Sequence, residues 1–473
     1  MNEKKKLLME NYNYKILIVL ACIQIFIFLC FSYGDVYITA AHGMSVWECL
    51  FSGKIREFYT LNKNTPVLIK GFSGEYKAGY DMFMYMIFAV WELPLWIISK
   101  VFGISNILGT FWGSIWARSI TLFFTGVLVL VIQKIEVLLG KDIDEQKEIL
   151  FMLATSPFLL TYVIIMGQYD VIVCVFMLIG IYYYLKGEMW KFLLFFSIAI
   201  PMKIFAILVF VPLVLYRCKN ILKVLVSIVL AVIPMLIMRI LIPMTEGGNI
   251  TDFIDFIFHN TIALGNAAGG IPIFFVTMTL LCGWCYLQDP DLEEKEVFNG
   301  KVLYLFGVTY IIFTITCTIL PYWFIYLLPP MYLIIMQNKR NFTANLVLST
   351  VIEFSAVIAQ IFRYTWCFSG TLVEHTLLSL FLERGRTGDY YTVQMLLRDK
   401  MGIIVADTIC TYINVIGMAV CVGAIILFLI LNNPWKKYSG DIEDSREVLV
   451  SFKCIRILLM VVIVLIPIIE YIY

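Results

Sequence analysis

The sequence is poor in charged residues. Asp, Glu, Lys and Arg make up only 15% of its 473 residues, whereas 61% are hydrophobic, and long apolar runs recur to the end of the chain. This composition excludes an ordinary soluble domain and predicts an integral membrane protein with many spans. The formal net charge is only +1, and no stripe of Lys and Arg interleaves with aromatic residues. We therefore expect no nucleic acid partner.

Motifs of several soluble chemistries are also missing. The sequence contains no glycine-rich nucleotide loop and no GxSxG nucleophile motif. The three histidines, which are His42, His259 and His375, show no HxH or HxxxH spacing, so we expect no zinc site. Among the twelve cysteines, only Cys282 and Cys285 have C-x-x-C spacing. Because that pair lies inside an apolar run, small buried hydrophobic side chains are the expected role.

The apolar runs predict an all-α polytopic membrane protein with about 13 transmembrane helices. Lys4, Lys5, Lys6 and Lys15 precede the first apolar run, Ile16–Phe31. By the positive-inside rule, these basic residues place the N-terminus in the cytoplasm. We expect a multi-pass protein of the cell membrane whose functional face is extracytoplasmic.

Residues 33–107 are expected to form a first long outer loop with amphipathic helices. This loop contains the run Met82–Ile98, in which Glu92 and Pro94 interrupt the apolar sequence and aromatic residues suit a membrane interface. We interpret the run as a helix that dips into the outer leaflet. If it crosses the membrane instead, every later loop changes side. A second outer loop is expected over residues 362–400.

Polar residues interrupt the apolar sequence in the middle of the chain. Gln168, Tyr169 and Asp170 lie between two apolar runs, and Lys203 lies inside another. An ionisable group at bilayer depth costs about 2.5–3.5 kcal/mol on insertion scales, so these residues are expected to have a structural or functional role. Asp170 can simply cap the helix that follows it. Lys203 can snorkel to the interface, but a buried ammonium that binds a phosphate explains it better.

Asp35 is the strongest candidate for catalysis. It directly follows the first apolar helix, and the neighbouring Gly34 allows another group to approach closely. A carboxylate at this place can accept a proton from a hydroxyl as a general base, or hold a divalent cation. The simpler alternative is an acid that caps a helix at the interface.

Three more residues are expected on the same outer face. Arg56 lies in the first outer loop, and Tyr322 and Trp323 follow a proline at the end of a later apolar run. The two aromatic residues suit either a platform for a sugar or an ordinary aromatic belt at the membrane interface.

The arrangement of these residues resembles the GT-C superfamily of membrane glycosyltransferases, and within it the bacterial relatives of the GPI and protein-O-mannosyltransferases. The likeness covers roughly residues 16–330 and departs from many relatives before the dipping helix, where Ala78-Gly79-Tyr80-Asp81 stands in place of a Pro-Pro pair. The features that carry it are Asp35 at the end of the first helix, Ser156-Pro157 leading into Gly167-Gln168-Tyr169-Asp170, the apolar segment closing on Lys203, and Pro321-Tyr322-Trp323.

The resemblance implies an inverting transferase that takes a sugar from a polyprenyl-phosphate donor and passes it to an extracytoplasmic glycan, lipid or protein. Asp35 would activate the acceptor hydroxyl, and Lys203 would neutralise the lipid phosphate.

The one cofactor considered is a divalent cation, Mg²⁺ or Mn²⁺, at Asp35 and Asp170. The catalytic module would cover residues 1–330, followed by C-terminal helices over 331–473. The residues expected to bind the donor are Arg56, Gln168, Tyr169, Asp170, Lys203, Tyr322 and Trp323.

The competing class is a multi-span transporter, flippase or polymerase of lipid-linked glycans. In a transporter, the embedded charges would lie in broken helices near the midplane of the bilayer. The candidates in this sequence are expected at the ends of spans on one side, which favours catalysis at an interface.

Overall fold

The computed structural model of the protein has the helical architecture that the composition predicts. The structure is 79% helical, and the described residues form almost no sheet, so the prediction of an all-α, multi-pass membrane protein is confirmed. Seven helices of the described chain are long and apolar enough to cross a membrane, or up to nine spans if each of two bent helix pairs counts as one. Thirteen crossings would need all four shorter apolar helices to cross as well, and that number stays a prediction. The structure describes residues 3–69, 72–244, 254, 257–262, 270–290, 293–364, 368–383, 392–435 and 446–473.

The N-terminal half contains both long apolar helices and shorter ones. They are α1 (Glu3–Cys30), α2 (Gly34–Phe51), α3 (Phe58–Leu61), α4 (Met82–Phe102), α5 (Phe111–Leu138), α6 (Ile143–Ala154), α7 (Asp170–Leu185), α8 (Met189–Met202), α9 (Ile207–Arg217) and α10 (Ile221–Leu241).

The C-terminal half continues the same pattern. Its helices are α11 (Ile273–Leu287), α12 (Lys295–Thr316), α13 (Leu328–Gln337), α14 (Phe342–Arg363), α15 (Val393–Met401), α16 (Ile403–Leu431) and α17 (Arg446–Ile472). Of the loop predicted over 362–400, residues 365–367 and 384–391 lie outside the described residues.

The segment after α1 is helical from its start. Amphipathic helices were expected within residues 33–107, and Gly34–Phe51 forms α2, whose buried residues recur at helical spacing on one face. The strands β1 (Thr65–Ile69) and β2 (Phe72–Tyr76) then form an antiparallel hairpin. A second, two-residue pairing joins β3 (Thr261–Ile262) to β4 (Ile271–Pro272).

Helix α4 is one continuous helix of 21 residues. Glu92 and Pro94, which favoured a dipping helix, do not interrupt it: the Glu92 side chain is buried in protein, and Pro94 lies within the helix. Helix α4 is also one of the seven helices that satisfy the length and hydropathy of a span. The structure therefore removes the arguments that Glu92 and Pro94 gave against a crossing, whereas the argument from the aromatic residues stays.

Several helices end at sharp breaks, and the polar residues lie at these places. A π-helix over Leu159–Ile165 follows α6 after a bend of 63° at Ser156-Pro157. Helix α8 ends at Lys203, whose backbone is extended (φ −155°, ψ 121°), and the 3₁₀ turn Ile204–Ala206 leads into α9. A longer 3₁₀ segment, Pro321–Leu327, precedes α13.

The chain divides into two compact units, each built from separate stretches. The first unit contains Met1–Tyr33, Gln133–Gln168 and Met331–Tyr473, and the second contains Gly34–Ile132 and Tyr169–Pro330. The assignment of a catalytic module to residues 1–330 concerns function and stays a prediction.

The first unit contains a buried ion pair between α14 and α17. The guanidinium of Arg456 lies 3.6 Å from Glu353, and both side chains are fully buried. Arg456 also donates to the hydroxyls of Thr155, Thr350 and Tyr332 and to the Met152 carbonyl. Because these bonds satisfy the guanidinium, the charge is tolerated inside the unit.

Candidate functional site

The centre of the second unit is a buried ion pair between Asp170 and Lys203. Asp170 begins α7 and Lys203 follows α8, so the packing of these two helices brings the two side chains together. The ammonium of Lys203 donates to Oδ1 of Asp170 at 2.5 Å, and the hydroxyl of Tyr326 donates to the same oxygen at 2.6 Å. The alternative in which the Asp170 side chain caps α7 is not what the structure shows, since Tyr169 is the N-cap residue and no side-chain cap hydrogen bond forms among the described residues.

Aromatic rings surround the ammonium of Lys203. Phe205 lies two residues beyond it, and Tyr322 and Trp323 come from the 3₁₀ segment Pro321–Leu327. Both Tyr322 and Trp323 are buried, which does not fit the alternative of an aromatic belt facing lipid. The rings whose centroids lie 5.7–6.0 Å from Lys203 Nζ are Tyr80, Tyr169, Phe205, Tyr322 and Trp323.

The pair keeps unused hydrogen-bonding capacity. Among the described residues, Oδ2 of Asp170 is buried and accepts no hydrogen bond, while Oδ1 accepts two. An ammonium has three N–H donors, and Asp170 is the only hydrogen-bond partner that the described chain gives to the ammonium of Lys203. A vacant acceptor and vacant donors therefore lie side by side, and a polar ligand that carries both an acceptor and a donor would satisfy them.

Asp35 lies close enough to this cluster to act on its tyrosines. Burial raises the pKa of Tyr80 well above its ordinary value, and the nearby carboxylates of Asp170 and Asp35 raise it further. The rings of Tyr80 and Tyr169 meet edge to face, with centroids 5.6 Å apart. Asp35 itself is partly buried in the first turn of α2, where the helix dipole stabilises a carboxylate.

The position of Gly34 has no space for a larger side chain. A Cβ at this position would lie 2.1 Å from the ring of Phe72 in β2. The close approach expected at Gly34 is therefore made by the hairpin, and the packing of Phe72 on the glycine fixes the start of α2 next to Asp35.

The contact between Tyr80 and Tyr169 restricts the topology. If both residues lie on one face of the membrane, the chain between them crosses it an even number of times. That chain contains α4, α5 and the bent pair of α6 and the π-helix, which is either a broken span or a re-entrant loop. A dipping α4 with a crossing pair satisfies the condition, and so does a crossing α4 with a re-entrant pair.

Arg56 and Gln168, two other residues predicted to bind the donor, have different surroundings. Arg56 is exposed on the 3₁₀ turn Ile55–Glu57 and makes no contact with Lys203 or Asp170 in the described chain. Gln168 is buried in the loop before α7, at the last position of the first unit. Their part in donor binding stays a prediction.

The residues fit a divalent cation poorly. Oδ1 of Asp170 already accepts from a cation, Lys203, so a metal ion bound to the same carboxylate would be repelled by the ammonium. Among the described residues, no three His, Cys, Asp or Glu side chains cluster as metal ligands would. Asp170 is therefore better described as the partner of Lys203 than as a ligand of Mg²⁺ or Mn²⁺.

Sequence reasoning missed several members of the cluster. Tyr326 lies on the same 3₁₀ segment as Trp323 and binds the central carboxylate, and Tyr310 stacks on Tyr326 with centroids 5.3 Å apart. The sequence around Tyr80 indicated only the end of a loop. A signal did exist for Tyr326, since it lies one 3₁₀ turn after Trp323 and therefore on the same side of that segment.

Comparisons with known proteins do not assign the chain to a family. No model of a protein family matches the chain, and no curated protein matches it significantly.

Proposed function

We propose that this protein is an integral membrane glycosyltransferase that moves a sugar from a polyprenyl-phosphate donor to an extracytoplasmic acceptor. The observation that carries the proposal is the buried pair of Asp170 and Lys203, which keeps a vacant acceptor beside vacant donors. A sugar phosphate has the matching chemistry, because its hydroxyls donate and its phosphate oxygens accept. A lipid carrier suits a site that lies within a protein of the membrane.

Lys203 is proposed to bind the phosphate of the donor. An ammonium held by Asp170 and ringed by aromatic side chains is fixed in position before the ligand arrives. Such preorganised charge is the most effective way to stabilise the negative charge that develops on a leaving phosphate. The vacant Oδ2 of Asp170 would accept a hydrogen bond from a sugar hydroxyl, and the faces of Tyr80 and Trp323 would pack against the C–H groups of the sugar ring.

Asp35 is proposed as the general base. Its carboxylate takes the proton of the acceptor hydroxyl while the acceptor oxygen forms a bond to the anomeric carbon of the sugar. The bond between that carbon and the phosphate oxygen breaks, and the polyprenyl phosphate leaves with the electron pair and with its charge facing Lys203. One displacement from the opposite face inverts the anomeric configuration. No metal ion takes part in these reaction steps.

The test is sugar transfer by purified protein from a set of polyprenyl-phosphate sugars. We expect the variant Asp35→Asn to lose at least about a hundredfold in turnover, because a positioned general base contributes about 10²–10⁴-fold. Asp144→Asn is the matched control, since Asp144 is also a carboxylate in the first turn of a helix but lies exposed at the start of α6. It should transfer sugar at the wild-type rate.

Two outcomes would reject the proposed roles. Near-normal transfer by Asp35→Asn would remove Asp35 from the chemistry and leave it as a helix cap. An absence of turnover and of donor binding with every carrier would reject the transferase, and the flux of lipid-linked glycans in liposomes would then test the transporter or flippase.

A further inference from the structure

The three short helices α7, α8 and α9 have a second polar end, opposite to the Asp170–Lys203 pair. Asp170 begins α7 and Lys203 follows α8, so both lie at one end of these helices. The turn from Lys186 to Glu188 joins α7 to α8 at the other end, and Arg217 ends α9 there. With 16 residues in α7, the two ends are about 24 Å apart.

Arg217 is a partly buried cation that no carboxylate pairs with in the described chain. Its guanidinium lies against the rings of Tyr184 and Phe298, 5.7 and 5.6 Å from their centroids. Its one hydrogen bond is a long one, 3.4 Å from Nη1 to the carbonyl of Tyr184. A guanidinium has five N–H donors, so most of them are available to a ligand.

The backbone of the turn from Lys186 to Glu188 closely approaches the guanidinium of Arg217. Gly187 has a positive φ of 81°, and a Cβ there would lie 3.3 Å from Nη2 of Arg217. The neighbouring Glu188 does not supply the missing anion, since it pairs with Lys186 and Lys191. Hydrogen bonds from Lys191 and Lys186 hold the pKa of the Glu188 carboxyl below its ordinary value.

Capping of the helix does not explain Arg217. The last carbonyls of α9, those of Leu215 and Tyr216, already accept hydrogen bonds from the ammonium of Lys219, at 3.0 and 2.9 Å. That ammonium also binds the carbonyl of Cys285 in α11. The C-terminal end of α9 is therefore satisfied without Arg217.

The same turn has the composition of a membrane interface. Trp190 is 66% exposed in the first turn of α8, and Lys191 lies over its ring and over that of Tyr183. Lys186 lies over the ring of Tyr182. Exposed Trp and Lys side chains at a helix end are typical of the depth of lipid headgroups, so the guanidinium of Arg217 lies where headgroup phosphates lie.

We infer that Arg217, with the turn from Lys186 to Glu188, binds the phosphate of an anionic lipid headgroup. The planar guanidinium suits a phosphate because it donates two parallel hydrogen bonds. Lys186 and Lys191 are paired with Glu188, so the charge of Arg217 is the one that favours anionic over zwitterionic lipids here. This site is independent of sugar transfer, and it lies at the opposite end of the helices from Lys203.

The experiment is native mass spectrometry of the full chain with equal amounts of phosphatidylglycerol and phosphatidylcholine. We expect wild-type protein to retain phosphatidylglycerol about fivefold more, the preference that one basic residue at an anionic surface supports. Arg217→Gln should bring the ratio close to one. Arg217→Lys should give an intermediate ratio, because the planar guanidinium with its two parallel donors is lost while the positive charge stays. Lys223→Gln is the control, since it removes an exposed charge at the start of α10.

The outcomes separate a lipid phosphate from a soluble one. A wild-type ratio near one, or an unchanged ratio in Arg217→Gln, would overturn the inference. The folding of each variant is checked by size exclusion, and Arg217→Lys carries the test if Arg217→Gln does not fold. If millimolar inorganic phosphate removes the preference completely and by itself raises the melting temperature, the site takes a soluble phosphate and the assignment to a lipid is wrong.

Discussion

Asp170 and Lys203 form an ion pair with 2.5 Å between Oδ1 and Nζ, and their side chains are only 1% and 6% exposed. Removing two charges from water costs several kcal/mol per ion, and a single ion-pair contact does not fully return that free energy. The pair also leaves Oδ2 of Asp170 without a hydrogen bond in the described chain. A pair that costs stability and is not fully satisfied is typical of a binding site, where the ligand completes the bonds.

Removing one partner of this pair should destabilise the protein more than removing both. Lys203→Met leaves the Asp170 carboxylate buried and unpaired, so we expect a loss of about 3–5 kcal/mol in the free energy of unfolding. Adding Asp170→Asn should restore most of that loss, because no buried charge remains. Sugar transfer should stay absent in both variants. Unfolding in detergent and the transfer assay measure the two effects.

The matched control for this prediction is Lys186→Met, which removes a lysine from the exposed end of α7 and should change stability little. The prediction fails if the double variant is as unstable as Lys203→Met. The proposed role of Lys203 fails if the double variant transfers sugar at the wild-type rate.

The contact between Gly34 and Phe72 should be sensitive to a single methyl group. A Cβ at Gly34 would meet the Phe72 ring at 2.1 Å, so Gly34→Ala forces the hairpin away from α2. We expect a loss of about 1–3 kcal/mol in stability from the overpacking and a lower rate of transfer, since Asp35 is the next residue. Phe72→Leu should rescue part of both losses in the double variant, because the smaller side chain leaves room.

Gly126→Ala is the control for this substitution. Gly126 lies in α5, where a Cβ meets nothing within 4 Å, so stability and transfer should be unchanged or slightly improved. Differential scanning fluorimetry compares the variants, and equal melting temperatures for Gly34→Ala and Gly126→Ala would contradict the packing that the structure gives to Phe72.

The network around Arg456 should be one of the strongest determinants of stability in the first unit. Arg456→Met leaves Glu353 buried without its cation and leaves three hydroxyls without a donor, so we expect a loss of about 3–5 kcal/mol. Lys453→Met, one turn earlier on α17, removes a partly exposed pair with Glu148 and should cost less than about 1 kcal/mol. Chemical unfolding of both variants gives the comparison, and similar losses would argue against a closed network.

The sequence was sufficient to predict the class of the protein, because long apolar runs indicate membrane spans directly. It also predicted the end of a helix at Lys203, a residue that a continuous lipid-facing helix does not accommodate, but not the bend at Ser156-Pro157. The same rules predicted that Asp170 and Lys203 have a common purpose. Their direct contact was not predicted, because 33 positions separate them and only the packing of α7 on α8 brings them together.

Other features depended on the surroundings of each residue. Glu92 favoured a dipping helix on the assumption that its side chain faces lipid, but the packed helices bury it completely. Helix α2 mixes polar and apolar residues, so its helical face is visible only once its buried positions are known. Arg456 and Glu353 lie on separate spans, and pairing between distant spans leaves no local pattern in the sequence.

The shortness of α8 has a consequence for the surrounding lipid. Its 14 residues are about 21 Å long, whereas the hydrocarbon core of a typical bilayer is about 30 Å thick. Leu194, near the middle of this helix, is exposed, so acyl chains would contact it if α8 crosses the bilayer. Where α8 faces lipid, the mismatch is relieved if the two leaflets approach each other and the headgroups sink inward. A long-chain isoprenoid would then reach a buried cation from the bilayer with its phosphate still close to water.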